Sequence, residues 1–298
     1  MSIKKPVINV LKRMKQWLLD DKKKLTAPEG PFDNRDEWIL YAYYKLMQDP
    51  VCARRPQYIW GVIHGAALSK VLGIERISVI EVGVAGGGGL ISMERSAELT
   101  EAMAGIKIDV YGFDTGTGMP QTLDYRDVPF RSSEGIWPLD KEKLENLLHR
   151  AKLVLGHTKD TVPEFIRRKP SPVAFVAFDL LMYSSTAEAL KLFEAEHSLL
   201  LPRTFSMFRS FMGNRGDQCD YIGERLAIQE FNRKFTMRKL CHMNGLRYYL
   251  PNNIGAWPEF FHCLHIFDHP LYGKPASLRL SVDIDTDCRE YLKEVPQN

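Results

Sequence analysis

The sequence predicts an α/β fold, with a mostly parallel, twisted sheet, helices on both faces and a helical extension at the N-terminus. Three observations carry this. Residues 77–84, 108–113 and 172–178 are apolar, partly β-branched runs of the kind that form strands buried on both faces. Stretches of helical character separate them. The first run is followed by five glycines within residues 83–89, the second ends at Asp114 and the third at Asp179. Strand, glycine loop, helix, strand and acid is the layout of a nucleoside site at the carboxyl edge of a doubly wound sheet.

The elements follow in order. Residues 6–19 place Val7, Val10, Leu11, Met14, Trp17 and Leu18 on one helical face, with Lys12, Arg13, Lys15 and then Lys22 to Lys24 around the rest. Such a helix either lies on a membrane surface or packs on the domain or a dimer partner with its basic face solvated, and packing is the simpler reading. Pro28 and Pro31 break the chain. Helices are expected over residues 36–47 and 58–72, with Gly73 as a C-cap. Another covers 90–103, after the glycine loop. Residues 115–140 hold several glycines and prolines and read as a long loop over the site. A helix over 141–150, a short strand over 151–155, a helix beginning at 161 and the strand 172–179 come next. Tyr183-Ser184-Ser185-Thr186 then opens a helix, with Ser185 and Glu188 at capping-box spacing. A strand over 199–208, a helix over 223–235 and a tail of strands and turns from Arg247 complete the chain. The expected division is an extension over 1–57, a Rossmann-like domain over 58–250 and a C-terminal extension over 251–298 packed on that domain.

The composition excludes several classes. The chain has 298 residues, 45% of them hydrophobic, enough for one large domain with a full core. A formal charge of +3 with mixed signs does not call for nucleic acid. Five cysteines without CxxC spacing read as free thiols in a reducing compartment. No apolar run reaches the ~20 residues that span a bilayer, and the N-terminus lacks a signal-peptide core. A cytoplasmic protein, a homodimer acting on a small molecule, is the expectation.

The glycine loop narrows the ligand. A dinucleotide site has G-x-G-x-x-G spacing, whereas from Gly83 this chain reads Gly-x-Ala-x-x-Gly. The acid Glu81, two residues ahead, and the four successive glycines fit an adenosine bearing an amino acid better, and S-adenosyl-L-methionine has no pyrophosphate to cradle. A tight strand-to-helix turn with no ligand is the structural alternative. Asp114 can accept ribose hydroxyls.

Four motifs then occur in order: Glu81-Val-Gly-Val-Ala-Gly-Gly-Gly, Tyr111-Gly-Phe-Asp-Thr-Gly-Thr-Gly-Met-Pro120, Lys159-Asp-Thr-Val-Pro163 and Phe178-Asp-Leu-Leu-Met-Tyr-Ser-Ser-Thr186. Over residues 58–235 the chain resembles the class I S-adenosylmethionine-dependent O-methyltransferases related to macrocin O-methyltransferase. The resemblance implies a Rossmann-like sheet with a reversed C-terminal strand. It places Gly83 and its neighbours at the methionine end of the cofactor and Asp114 at the ribose. Candidate cofactor-binding residues are Glu81, Gly83, Val84, Ala85, Gly86, Gly87, Asp114, Thr115 and Asp179.

The family commonly binds magnesium through an Asp-Leu-Asp strand end and an Asp-Asp pair after the next strand. Here the first reads Asp179-Leu180-Leu181, and Arg209-Ser210 stands at the second. Magnesium requires hard oxygen ligands in near-octahedral order, so no metal is expected. Arg209 either pairs with Asp179, as a remnant of lost metal chemistry, or grips a carboxylate or phosphate on the acceptor. Without metal the base must be a side chain, and His157, Asp179 and Tyr183 are the candidates. Trp137 either covers the pocket or packs.

Two further groupings carry less. His262, Cys263, His265 and His269 are dense enough for a transition metal, but on a strand His262 and His265 point to opposite faces. Cys241 and His242 are adjacent, and adjacent side chains rarely face each other. The expected activity is methyl transfer to an oxygen of a sugar or secondary metabolite. A non-catalytic scaffold that keeps the pocket, or a non-methylating reaction such as intramolecular alkylation, is the alternative.

Overall fold

The computed structural model describes residues 35–211, 218–249 and 255–274. The amphipathic stretch 6–19 and Cys288 lie outside the described residues. The chain enters through α1 (Arg35–Met47) and α2 (Pro56–Val71). Strands and helices then alternate through β1 (Arg76–Val82), α3 (Gly88–Ala104), β2 (Lys107–Asp114), α4 (Lys141–Glu145), β3 (Lys152–Leu155), α5 (Thr158–Arg167), β4 (Val173–Phe178) and α6 (Tyr183–Ala189). β5 (Leu200–Phe208), α7 (Gly223–Lys234), β6 (Arg238–His242), α8 (Leu246–Tyr249) and β7 (Phe261–Ile266) follow.

The strands form one sheet in the order β3-β2-β1-β4-β5-β7-β6. All pairs are parallel except those of β7, which runs antiparallel to both β5 and β6. This is a Rossmann-like sheet with a reversed strand near its C-terminal end, as the resemblance implied. The order changes direction between β1 and β4, and ligands bind at such switch points. β7 comes from the stretch expected to be a C-terminal extension, yet it lies inside the sheet. No helix among the described residues is long and apolar enough to cross a membrane.

The two-residue period of a strand divides the core into two layers. Ile77 and Val79 of β1, with Phe175 and Ala177 of β4, pack under α1, α2 and α3. Ile80, Val82, Val176 and Phe178 face the layer that holds Phe165 of α5 and Ile228 and Phe231 of α7. α2 lies very close to β4, because a Cβ at Gly61 or Gly65 would meet the Phe175 ring at 2.3 Å or Ala174 Cβ at 2.8 Å.

Several local expectations are corrected. The helix expected over 141–150 stops at Glu145. The backbone N–H groups of His149, Arg150 and Ala151 donate instead to the Glu94 carboxylate at 2.6–3.2 Å, so they are not available to a helix. α5 begins at Thr158 rather than 161 and carries Pro163 inside it. The capping box at Ser185 does not form, since α6 starts two residues earlier and has no side-chain cap of its own. β6 was not foreseen; of its five residues only Leu240 is buried, which suits an edge strand.

The remaining side groupings resolve as structure. His262 is 1% exposed and donates its Nδ1–H to the Phe260 carbonyl, while His265 meets the Tyr272 hydroxyl. Among the described residues no three His, Cys, Asp or Glu side chains could hold a metal ion. Cys241 is exposed, and the His242 ring stacks on Phe211.

Candidate functional site

The parallel strands leave the sheet in register, and this builds the site. The N–H of Gly83 donates to the Phe113 carbonyl at 2.8 Å, that of Asp179 to Val82 at 2.9 Å and that of Arg209 to Phe178 at 2.9 Å. The carboxyl ends of β2, β1, β4 and β5 therefore form one continuous edge. Above it is a cavity of about 750 Å³, within the size range of small-molecule sites. Its wall includes residues 81–89, Asp114, Thr115, His157, Asp179 and Arg209. All the sequence-derived site candidates except Tyr183 thus come together.

The glycine loop is built around two carboxyl groups. Odd-numbered residues of β1 face α2 and α3, so Glu81 points under the first turn of α3. It is 1% exposed. Its Oε1 accepts from the Tyr58 hydroxyl at 2.6 Å, and Oε2 has no hydrogen-bond partner. Burial raises this carboxyl well above the usual range, and the hydroxyl bond only partly offsets that. A Cβ on Gly89 would lie 1.8 Å from Glu81 Oε1, so only glycine fits beside the acid. At Gly86 a Cβ would meet nothing within 4 Å, and its space opens into the cavity.

Asp114 is the second. Its Oδ2 accepts from the N–H groups of Val84 and Ala85, both at 2.9 Å, and its Oδ1 from Gly116 at 2.8 Å. A carboxylate offers about four acceptor positions, so roughly one remains, on Oδ1. The acid expected to hold both ribose hydroxyls is thus largely occupied in shaping the loop. Ala85 takes φ +46°, the left-handed conformation that glycine adopts most readily. Thr115 donates its hydroxyl to the Gly118 carbonyl at 2.6 Å.

Across the cavity, Asp179 is half-buried. Burial raises its carboxyl, against the opposing pull of Arg209 and Arg55. Asp179 and Arg209 form no ion pair within 4 Å. Leu181 is 7% exposed and apolar, so this corner lacks the ligand set that magnesium needs. Beneath it, Glu224 is fully buried. Its Oε2 accepts from the Ser210 N–H at 2.7 Å, the Leu180 peptide also bonds it, and Oε1 has no partner. Glu224 thereby ties together the exits of β4 and β5.

Tyr183 is placed elsewhere. Its hydroxyl donates to Glu230 Oε2 at 2.5 Å and its ring lies 4.4 Å from the Arg126 guanidinium. His157 sits at the N-cap of α5 with its side chain exposed at the cavity.

The loop over the site is anchored by a residue that sequence reasoning missed. Asp127 is 1% exposed and accepts from the Ser184 N–H at 2.7 Å, the Ser184 hydroxyl at 3.0 Å and the Leu123 N–H at 2.9 Å. It caps α6 from the loop in place of Ser185. Trp137, φ +58° and 61% exposed, lines the cavity. Arg55 and Tyr58 were also missed; no motif marks them, because both enter through the packing of α2 on the sheet.

No protein-family model matches the chain, and no curated protein matches it. Among solved structures it is similar to the O-methyltransferase NovP, with 16% identity over 68% of this chain and 77% of that one and a TM-score of 0.46. Similarity extends to the calicheamicin methyltransferase CalS11, with 17% identity over 76% and 95% of the two chains and a TM-score of 0.43. The O-methyltransferase from Bacillus cereus in complex with SAH gives 15% identity over 78% and 90% and a TM-score of 0.33. Likeness at this level carries no residue roles or substrates over to the present chain.

Proposed function

We propose that the protein binds S-adenosyl-L-methionine and transfers its methyl group to an oxygen of a small molecule, a sugar or secondary metabolite, without a metal ion. The carrying observation is the cradle at the end of β1. There Gly86 leaves open space, Glu81 presents a buried oxygen without a partner, and Asp114 stands at the next strand end. The residues fit that cofactor: backbone at residues 83–87 can approach it closely, Glu81 Oε2 suits the amine, and the open position on Asp114 Oδ1 suits one ribose hydroxyl. Arg55, on the same wall, is assigned to the methionine carboxylate.

When bound, the cofactor supplies an electrophilic methyl group on a sulfonium. The chain's part is alignment and proton removal. The loop from 115 to 140, held by Asp127, covers the cavity and limits water. Of the three base candidates, His157 and Asp179 face the cavity, and the upward pull of burial on Asp179 makes it a better proton acceptor than a solvated aspartate. Cys52, Cys219, Cys241 and Cys263 form no disulfide among the described residues, in keeping with a reducing compartment.

The test is calorimetric titration with S-adenosylhomocysteine, then incubation with methyl-labelled cofactor and a small-molecule extract. Binding with label passing into a hydroxyl compound is expected. Absence of binding at millimolar ligand would overturn the reading, and binding without transfer would leave a non-catalytic cofactor protein.

A further inference from the structure

We infer that the subsite beside Asp179 takes an acceptor bearing an oxyanion, a carboxylate or phosphate, gripped by Arg209. The inference rests on the cofactor reading above for the rest of the cavity.

Arg209 leaves β5 directly opposite Asp179. Its peptide is held on both sides: its own N–H donates to Phe178 at 2.9 Å, and the following N–H, of Ser210, donates to buried Glu224 at 2.7 Å. The backbone is therefore rigid where the side chain emerges. The guanidinium lines the cavity and makes no hydrogen bond or ion pair among the described residues. Five N–H donors in a fixed fork are thus presented to the cavity, and that fork matches a carboxylate or phosphate in two parallel bonds.

The charges of the wall leave Arg209 open to an anion. The ionisable residues of the wall are Arg55, Arg131, His157 and Arg209 with Glu81, Asp114 and Asp179, and Asp179, the acid facing Arg209, forms no ion pair with it within 4 Å. Asp114 already accepts from three peptide N–H groups, and Glu81 lies inside the protein bonded to Tyr58. Neither carboxyl reaches Arg209. A cofactor carrying a sulfonium adds further positive charge. Leu181, buried and apolar, supplies no polar partner.

The experiment uses the full chain saturated with S-adenosylhomocysteine and titrated calorimetrically, at constant ionic strength, with inorganic phosphate and separately with succinate. At least one should bind saturably, and Arg209→Gln should weaken it tenfold or more. Arg209→Lys, which keeps the charge and loses the fork, should fall between. Tighter phosphate assigns a phosphorylated acceptor, and tighter succinate a carboxylic acid. If neither binds the parent, or if both variants bind as the parent does, the inference fails. Retained binding of S-adenosylhomocysteine by Arg209→Gln shows that the pocket is folded. Should the parent fail to bind S-adenosylhomocysteine, the cofactor reading falls on its own, and the same titrations of the ligand-free protein still decide the subsite.

Discussion

The Tyr58 hydroxyl donates to Glu81 Oε1 at 2.6 Å, and it is the only side chain among the described residues that bonds this buried acid. Tyr58→Phe would leave both carboxyl oxygens unpaired. A loss of about 1–3 kcal/mol is expected from equilibrium urea unfolding. A loss near zero would show that water replaces the hydroxyl.

Glu81 also sets a pH dependence. Burial raises it well above its ordinary value of 4.5, so the folded protein keeps a proton that the unfolded chain releases. Its contribution to stability is full below about pH 4.5 and is lost as pH rises toward the folded value. Glu81→Gln removes this dependence. The stability difference between variant and parent, measured without ligand, should therefore move in favour of the variant as pH rises from 5 to 8, by up to about 1.4 kcal/mol per pH unit inside the window. A constant difference would place the titration of Glu81 outside that range.

Positions in the loop separate ligand space from packing. Gly86→Val should keep the parent's unfolding midpoint and lose cofactor binding, because its Cβ enters only open space. Gly89→Ala should unfold the protein more readily, because its Cβ meets Glu81. Ala85→Gly relieves a left-handed alanine and should stabilise by about 1 kcal/mol. The reverse pattern for Gly86 and Gly89 would mean that the cavity lies on the other side of the loop.

Asp114→Ala removes the acceptor for three peptide N–H groups. It should weaken S-adenosylhomocysteine binding by more than tenfold and also lower stability by about 1–3 kcal/mol. Calorimetry and urea unfolding on one preparation check both. A stability loss with full affinity would leave Asp114 as a loop-building residue only.

The metal prediction follows from Leu181 and Arg209. Cofactor affinity should be the same in EDTA and in magnesium. A cation 4 Å from the guanidinium would be repelled by about 4 kcal/mol per unit of its charge at an effective dielectric of 20. Arg209→Asp alone should not create magnesium dependence, whereas Leu181→Asp with Arg209→Asp restores two acids. Affinity that vanishes in EDTA and returns with magnesium would place the metal ligands elsewhere.

Strands β1 to β5, the glycine loop and the acids at Asp114 and Asp179 were legible in the sequence alone. Apolar runs, turn residues and strand-end acids act through a few consecutive residues, and their periods are written directly into the chain. The reversed last strand was implied only by resemblance, and the unforeseen β6 has a single buried side chain to betray it. What the tertiary structure alone decided are contacts between distant residues. Tyr58 meets Glu81, Asp127 caps α6 in place of Ser185, Glu94 ends α4, and Arg55 enters the cavity. Each depends on how α2, α3 or the 115–140 loop packs on the sheet, and a hydrogen bond across such a distance leaves no spacing to read. Tyr183 shows the same limit from the other side: its motif looked catalytic, but the packing of α6 on α7 turns its hydroxyl to Glu230.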